Sequence, residues 1–286
     1  MTHGRAAQAE SERMRRALLA SVDVGYRETP PPPEAAALIE CCWTSRSEGP
    51  QRVAVHPDGC VDVIMRAPRR RTHSGPRSGI DVVGIMTRSQ FVTVDADDVF
   101  AGIRFRPGIA SSVLGRAVSV LSDRSASLAT FAPDVETRVM SQAADATVDD
   151  IFAAVIATLV PRIQEAPDAA QRAINALVTS NGQRSLTDCH DIAHMSERSF
   201  RRHCVERVGL PPKQLAGLLR FRLVRDRLHA EGGTSMATIA LACGYSDQSH
   251  MIREVRRITG LTPTRLHDGY TVADLFKTPH GQTHHL

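Results

Sequence analysis

Residues 238–263 read Thr-Ile-Ala-Leu-Ala-Cys-Gly-Tyr-Ser-Asp-Gln-Ser-His-Met-Ile-Arg-Glu-Val-Arg-Arg-Ile-Thr-Gly-Leu-Thr-Pro. Apolar residues on both sides of Gly244 recur at the spacing of one helix face. They are Ile239, Ala240 and Cys243 before the glycine, and Met251, Val255 and Ile258 after it. Gly244 suits the tight turn that would end the first helix, and Ser246 is placed to cap the second. The segment therefore predicts a helix-turn-helix.

The outer face of the second predicted helix is polar and carries positive charge. Its residues are Asp247, Gln248, Ser249, His250 and Arg253. A helix that enters the major groove of DNA needs long polar side chains to reach the base edges. The alternative is an ordinary pair of packed helices with a solvated outer face.

A second copy of the pattern lies upstream, around Ser196. Ser196 precedes Ser246 by 50 residues, and the surrounding residues correspond, with a slip of one residue inside the second helix. The matched pairs are Met195 with Tyr245, Cys189 with Ile239, Arg202 with Arg253, and Gly209 with Gly260. Between the copies, apolar residues at helical spacing predict one long helix over residues 213–229. Such a helix can hold the two units at a fixed separation.

Two sets of motifs carry a family resemblance. The first copy has Ser-x-Arg-x-Phe-x-Arg from 196 to 202, and the second has Gly-Tyr-Ser-Asp-Gln-Ser-His-Met-x-Arg from 244 to 253 and Thr-Gly-Leu-Thr-Pro from 259 to 263. Over residues 168–268 the chain resembles the AraC/XylS family of bacterial transcription regulators. The first copy departs from the family pattern at His190, where the family has a small residue, and at His194, where it has the turn glycine.

The resemblance implies a helical DNA-binding domain whose partners are double-stranded operator DNA and RNA polymerase. It places base reading at exposed positions near the start of each recognition helix, namely Arg198, Arg201, Arg202, Gln248, Ser249, His250 and Arg253. Arg202 has an alternative role, which is to hold a phosphate or a carboxylate of its own domain. Because arginine pairs best with guanine and glutamine with adenine, we expect a G-rich element and an adenine-containing element about one helical turn apart.

Charge is distributed unevenly along the chain. The whole chain has a formal net charge of +4, yet residues 168–268 hold fifteen Lys and Arg against ten Asp and Glu. Residues 1–167 carry a net charge of −1. Positive charge concentrated in the helix-turn-helix half is what contact with DNA phosphates requires.

Residues 35–165 predict a second, β-rich domain. Short runs rich in β-branched residues, separated by Pro, Gly and Asp, occupy residues 53–55, 61–65, 80–83, 91–94 and 100–105. They favour a compact antiparallel structure, and we expect a small barrel. Helical spacing follows over residues 109–121, 135–142 and 148–163, where helices would pack on the barrel or form the seam of a homodimer.

The sequence therefore predicts an α+β protein. A small β-barrel-like N-terminal domain with packed helices precedes an all-α domain of two helix-turn-helix units joined by a long helix. Residues 1–34 and 269–286 are expected to be flexible tails. Residues 162–167 form the candidate linker, and Asp168 is placed to cap the first helix of the DNA-binding domain, residues 168–268.

Three N-terminal motifs resemble a small domain that precedes the DNA-binding region in a subgroup of AraC-type regulators. They are Trp-Thr-Ser-Arg at 43–46, His-Pro-Asp-Gly-Cys-Val-Asp-Val-Ile at 56–64, and Gly-Ile-Arg-Phe-Arg-Pro-Gly at 102–108. The resemblance implies a sensing or oligomerising domain and names no effector. A small-molecule effector is accordingly expected without a stated identity.

Two groups of N-terminal residues have alternative roles. His56, Asp58 and Cys60 could bind a metal or act as a redox sensor, but Pro-Asp-Gly is an ordinary turn sequence, and we favour a turn followed by a strand. Arg104 and Arg106 share one strand face. They could hold an anionic ligand, or pair with Asp62 or Asp95, and pairing is favoured.

Enzymatic function is not indicated by any motif. The sequence lacks a phosphate loop, a dinucleotide fingerprint and a Ser-His-Asp order, and its six cysteines show no CxxC spacing. We expect no cofactor, no structural metal and no catalysis. Without an apolar run long enough for a signal peptide or a membrane span, a cytoplasmic location is expected. The alternatives are a DNA-associated enzyme and a metal- or redox-dependent sensor that uses the His56 to Cys60 segment.

Overall fold

A computed structural model describes Leu18 and residues 22–67, 79–96, 98–142, 146–163, 167–230 and 234–267. Within these ranges the protein is of the α+β class, with antiparallel strands in the N-terminal half and helices alone after residue 167. The predicted class and two-part layout are confirmed. None of the described helices combines the length and apolar character needed to cross a membrane.

In the described part of the chain, eight short strands make two antiparallel sheets. Their bounds are β1 Gly25–Thr29, β2 Ile39–Arg46, β3 Gln51–Val55, β4 Val61–Ala67, β5 Gly79–Val83, β6 Gln90–Val94, β7 Val99–Phe105 and β8 Ser125–Ser127. Six strands pair in the order β1-β2-β7-β4-β5-β8, and β3 pairs with β6 as a separate ribbon. Among the described residues no strand joins the two sheets, so the β-structure is two facing sheets where the sequence favoured a small barrel.

One face of the six-stranded sheet packs on helices. These are α1 Ala110–Leu114, α2 Pro133–Gln142 and α3 Val148–Leu159. Buried Val63, Met65 and Ile103 belong to the same hydrophobic cluster as Val155 and Leu159. The predicted helix over residues 109–121 is interrupted because Gly115 takes a left-handed conformation with φ of 64° and ends α1.

The opposite face of this sheet is covered by the β3–β6 ribbon. Trp43 is fully buried there, together with Val53, Val94 and Phe100. Gly102 lies opposite Trp43 in the register, and a Cβ at Gly102 would come within 2.2 Å of the indole ring. The indole ring therefore crosses β7 at the one residue without a side chain. This packing fixes the second layer of the N-terminal domain.

The expected flexible tail over residues 1–34 is wrong for part of its length. Gly25–Thr29 forms β1, which pairs antiparallel with β2, and Leu18 and Val22 are buried in the core beneath the sheet. The alternating polar residues of β1 suit an edge strand, and they lack the apolar alternation by which a strand is recognised. Residues 1–17, and the tail over 269–286, lie outside the described residues.

The described part of the C-terminal half, residues 167–230 and 234–267, contains seven helices. They are α4 Ala169–Thr179, α5 Leu186–Ala193, α6 Glu197–Val208, α7 Pro212–Ala230, α8 Met236–Ala242, α9 Gln248–Thr259 and α10 Pro263–His267. The Asp168 side chain accepts a hydrogen bond from Gln171 N and caps α4, as predicted. A second hydrophobic cluster holds these helices together, and α7 runs through it as the predicted linking helix.

Candidate nucleic-acid interface

The first helix-turn-helix unit consists of α5 and α6. Ser185 caps α5, and Ser196 caps α6 by accepting a hydrogen bond from Ser199 N at 3.3 Å. His194 ends α5 in a left-handed conformation with φ of 50°, the conformation that glycine usually supplies. The turn predicted at His194 therefore forms, although a residue with a side chain occupies it.

The second unit consists of α8 and α9, and its cap differs from the prediction. Asp247, one residue after Ser246, caps α9 through Oδ1, which accepts a hydrogen bond from His250 N at 2.7 Å. Ser246 Oγ donates to Asp247 Oδ2 at 3.1 Å. These hydrogen bonds, the one from His250 N first, lower the pKa of the Asp247 carboxyl. An anionic cap is favoured here because it also meets the positive end of the helix dipole.

The corrected cap explains the slip between the two copies. The left-handed turn residues His194 and Gly244 are 50 positions apart, whereas the caps Ser196 and Asp247 are 51 apart. The second turn is therefore one residue longer than the first. From the cap onward an offset of 51 holds, so Arg202 and Arg253 occupy equivalent positions and so do the terminal glycines.

Most of the predicted DNA-contacting residues lie on the open side of the two recognition helices. The exposed ones are Arg198, Arg201 and Arg202 on α6, and Gln248, Ser249 and Arg253 on α9. Arg202 Nε lies 3.9 Å from Glu206 Oε1, a weak pair at the surface. This contact matches the alternative role given to Arg202, in which its guanidinium holds a carboxylate of its own domain.

His250 differs from the other predicted contacts because its ring is held against its own domain. The ring lies edge-on to Tyr245, with centroids 5.2 Å apart. Its Nδ1 is 3.2 Å from Ser246 Oγ, and its Nε2 is 3.8 Å from Glu254 Oε2. These contacts orient the start of α9. They leave the ring half-buried, unlike Gln248 and Ser249 beside it.

The long helix α7 fixes the second unit through contacts that the sequence did not reveal. Arg220 lies over the Tyr245 ring, 5.3 Å from its centroid, and donates to Gly182 O at 3.1 Å. It also reaches Glu254 Oε2 of α9 at 3.4 Å. Gly217 allows close approach, because a Cβ there would come within 2.2 Å of Glu254 Oε1. Gly217 is visible in the sequence as a glycine inside a predicted helix, but Glu254, the residue that it accommodates, lies 37 residues downstream.

The first unit is tied to α4 by Arg207. Its guanidinium donates to both carboxylate oxygens of Asp168. Burial raises the pKa of Asp168, but the hydrogen bonds from Gln171 N and Arg207 outweigh it and the pKa is lowered. The ionised carboxylate therefore caps α4 and anchors α6 together.

The N-terminal candidate residues His56, Asp58 and Cys60 make contacts within their own domain. His56 Nδ1 is 2.6 Å from Ser89 Oγ, Asp58 Oδ1 accepts from Cys60 N at 3.0 Å, and Cys60 Sγ is 3.5 Å from Glu40 Oε2. Within the described ranges, no group of three or more His, Cys, Asp or Glu side chains is arranged to hold a metal ion. Burial raises the pKa of the Cys60 thiol well above its ordinary value, with Asp58 and Glu40 adding to it. A buried neutral thiol is poorly suited to redox sensing.

Arg104 forms the ion pairs that the sequence favoured over an anionic ligand. Its Nε lies 3.2 Å from Asp58 Oδ2 and 3.3 Å from Asp62 Oδ1, and its Nη1 is 2.9 Å from Glu28 Oε1. Pairing with Asp62 is confirmed. Arg106 lies beyond the end of β7, where its Nε donates to Ala36 O at 3.0 Å.

Two helix-turn-helix units joined by one long helix are the arrangement expected of a DNA-binding domain, and the comparison with protein families agrees. Residues 190–268 match a family model described as a helix-turn-helix domain, and residues 27–127 match a domain of unknown function, DUF6597. The helix-turn-helix match is of the AraC type. The chain is thus a DNA-binding transcription regulator with an AraC-type DNA-binding domain. No curated protein matches it.

Several solved structures resemble parts of the fold. The DNA-binding domain of AdpA, a global transcriptional factor solved with a target DNA, is 20% identical over 36% of this chain and 93% of that chain, with a TM-score of 0.34. ToxT from Vibrio cholerae O395 is 10% identical over 81% of this chain and 99% of that chain, with a TM-score of 0.44. ToxT from Vibrio cholerae strain SCE256, bound to an unsaturated fatty acid, is 12% identical over 77% of this chain and 91% of that chain, with a TM-score of 0.41.

Proposed function

We propose that α6 and α9 read two DNA elements about one helical turn apart, near 10 base pairs, on one face of the duplex. The observation that carries this proposal is that both helices begin with capped, exposed N-terminal turns that bear long polar side chains. On α6, Arg198 and Arg201 favour guanine. On α9, Gln248 favours adenine, with Ser249 and Arg253 beside it.

Arg202 and His250 have different roles from the other proposed contacts. Arg202 pairs with Glu206 and suits phosphate contact or self-pairing better than base reading. His250 holds the start of α9 against Tyr245, so its contribution is to orient Gln248 and Ser249. Arg201 and Gln248 are accordingly the side chains whose removal should change sequence preference.

The test is a binding selection on full-length protein with randomised DNA. Arg201→Ala should lose roughly 1–3 kcal/mol on the preferred operator and relax preference at one G position, because a bidentate pair to guanine is removed. Gln248→Ala should relax preference at an adenine in the other element. Arg116→Ala, which removes an exposed charge from the N-terminal domain, is the matched control and should change neither. Equal weakening on every sequence would mean that Arg201 and Gln248 only contact the backbone.

We propose further that residues 35–165, extended at the N-terminal end to include β1, form one domain and residues 168–268 the other. In support, one hydrophobic cluster is built from residues up to Leu159, whereas the other is built from Ala173 onward with the single addition of Ile85. Contacts nevertheless cross between them. They join Glu40 to Arg222, Pro107 to Gln171, Ser122 to Gly209 and Ser89 to Ile258.

This packing supports regulation of DNA binding through the N-terminal domain, and we assign that domain a small-molecule effector. RNA polymerase and a second copy of the chain complete the proposed partners, and the cytoplasm is the proposed location, since operator DNA lies there in bacteria. We assign no catalytic step to any residue of this chain.

A further inference from the structure

A cavity of about 180 Å³ lies between the two sheets of the N-terminal domain. Its walls are mainly apolar. They include Ile64 and Phe100 from the six-stranded sheet, Val55 and Val92 from the β3–β6 ribbon, and Met86 from the segment between β5 and β6. An apolar cavity of roughly 150 Å³ accommodates benzene. This cavity therefore has room for a molecule built on one ring.

Arg66 supplies a polar end to the cavity. Its Nε is shielded from solvent, makes no hydrogen bond to any described residue, and lies 3.3 Å from Asp81 Oδ2. Because a buried donor without an acceptor is costly, an oxygen acceptor on a ligand would be favoured there. The charged residues that line the cavity, Asp62, Asp123, Arg66 and Arg124, sum to no net charge, and Arg66 and Asp62 are already paired with Asp81 and Arg104. No unpaired positive charge therefore offsets the cost of removing a ligand carboxylate from water, so the site suits an uncharged molecule.

Residues 84–89, here called the bridging segment, contact the cavity on one side and the DNA-binding domain on the other. Gly84 and Met86 line the cavity. Ile85, between them, is fully buried in the hydrophobic cluster whose other members all lie in the C-terminal domain. Since the three residues are consecutive, a ligand that displaces the backbone of Met86 also displaces Ile85.

The bridging segment reaches the C-terminal ends of both recognition helices. Gly209 ends α6, and a Cβ there would come within 2.9 Å of Ile85 Cγ2. Ser89 N donates to Ile258 O, in the last turn of α9, at 2.8 Å. Both helices therefore end against the same six residues.

Hydrogen bonds tie the bridging segment to residues 123–124, which lie just before β8. Thr87 donates to the Asp123 carboxylate from its backbone N and from its hydroxyl, both at 2.7 Å. Gly84 N donates to Arg124 O at 3.0 Å. Asp123 and Arg124 line the cavity mouth as well, so a bound molecule would contact the segment and its support together.

We propose that the inter-sheet cavity binds a small uncharged molecule with one ring and an oxygen acceptor, and that the bridging segment transmits its occupancy to the relative position of α6 and α9. This proposal rests on the two-element DNA reading proposed above. Occupancy shifts Ile85 against Gly209 and Ser89 against Ile258, which alters the fit of the two helices to two elements of fixed spacing.

The binding part is tested with benzamide and benzoate, which have the same ring and differ in charge. Titrated into the full-length protein and followed by NMR, benzamide should bind saturably at millimolar concentration, and benzoate at least fivefold more weakly. Val92→Phe, which fills the cavity, should abolish benzamide binding. Thr93→Phe adds the same ring on the exposed side of β6 and should leave binding intact. Absence of saturable benzamide binding, or binding that survives Val92→Phe, overturns the site.

The transmission part uses Val92→Phe as a permanent occupant. On DNA that carries both elements, Val92→Phe should change the dissociation constant at least fivefold, and in an Ile85→Ala background the change should fall below twofold. Ile85→Val, which removes one methyl group and keeps the core filled, should give an intermediate coupling. Hydrogen exchange supplies a readout independent of DNA, because the Ser89 amide should exchange faster in Val92→Phe once its bond to Ile258 is strained.

The outcomes separate this inference from the proposed function. An effect of Val92→Phe that persists unchanged in Ile85→Ala, or no effect in the presence of normal specific DNA binding, overturns transmission and leaves DNA reading intact. Wild-type protein without sequence preference would instead contradict the proposed function itself.

Discussion

At the scale of single residues, Cys60 shows how burial decides between two chemistries. The thiol is 2% exposed, and this burial raises its pKa well above the ordinary value, with Asp58 and Glu40 adding to the effect. Thiolate formation, on which oxidation and metal binding depend, is therefore suppressed. The neighbouring carboxylates serve other partners, since Glu40 pairs with Arg222 at 2.7 Å.

Cys60→Ser should leave specific DNA binding intact. It should lower the free energy of unfolding by about 1 kcal/mol and no more, because a serine hydroxyl can also donate a hydrogen bond to Glu40. Peroxide should leave the DNA affinity unchanged both for the wild-type protein and for the variant, as measured by fluorescence anisotropy. Cys60→Ala, which removes the donor, is the control and should be the less stable of the two. If peroxide weakens the wild type and spares Cys60→Ser, the thiol is a sensor.

Residue identity also limited what the sequence could predict about the site. Six of the seven proposed contacts lie on the exposed side of a recognition helix because helical periodicity places them there. The cap of α9 was missed because Ser246 and Asp247 are adjacent and both are favourable caps. The contacts of His250 with Tyr245 depend on a turn one residue longer than that of the first unit, which periodicity does not reveal.

At the scale of elements, the turn between α5 and α6 carries strain that its counterpart avoids. His194 has a φ of 50° and is exposed, whereas Gly244 has a φ of 78° in the second unit. A left-handed conformation costs a residue with a Cβ roughly 1–2 kcal/mol, and glycine loses about 0.5–1 kcal/mol through its freer unfolded chain.

His194→Gly should therefore stabilise the protein by about 0.5–1 kcal/mol. DNA affinity should stay unchanged, because His194 precedes the proposed base-contacting turn. His194→Ala is the matched control, since it keeps a Cβ and loses the local polarity that helps histidine adopt this conformation. Thermal unfolding of both variants measures the difference. A lower melting temperature for His194→Gly than for wild type would show that the histidine side chain contributes a contact that outweighs the strain.

Elements were predictable where one periodicity dominated. Strands β3 to β7 and helices α2, α3 and α7 occur where alternation or helical spacing indicated them. β2 is buried on both faces, with the pattern Ile-Glu-Cys-Cys-Trp at its start, so it lacks alternation altogether. β8 is three small residues, Ser-Ala-Ser, at the sheet edge. Such strands form because a neighbouring strand is present, which is information that local sequence does not contain.

At the scale of the whole molecule, the interface between the two domains combines an enclosed ion pair with apolar contacts. The Glu40–Arg222 pair is enclosed, with side chains 3% and 18% exposed. Gly59 lies beside Leu215 and Leu219 of α7, and Ile85 enters the C-terminal core. Removal of one member of a buried pair is costly because the other charge stays buried, whereas separating whole domains returns both charges to water.

A fragment of residues 168–268 should consequently fold and bind DNA without the N-terminal domain. It retains every member of its hydrophobic cluster except Ile85, and burying one such side chain contributes about 1.5–3 kcal/mol. The fragment should therefore melt at a lower temperature than the same helices in the full chain, but remain folded by circular dichroism.

Its DNA affinity should fall steeply with added salt, since Lys and Arg exceed Asp and Glu by five in this region. Arg201→Ala within the fragment controls for specificity and should relax the same G position as in the full chain. A folded fragment whose DNA binding is absent, or insensitive to salt, would show that the helix-turn-helix units depend on the N-terminal domain for more than the loss of Ile85 explains.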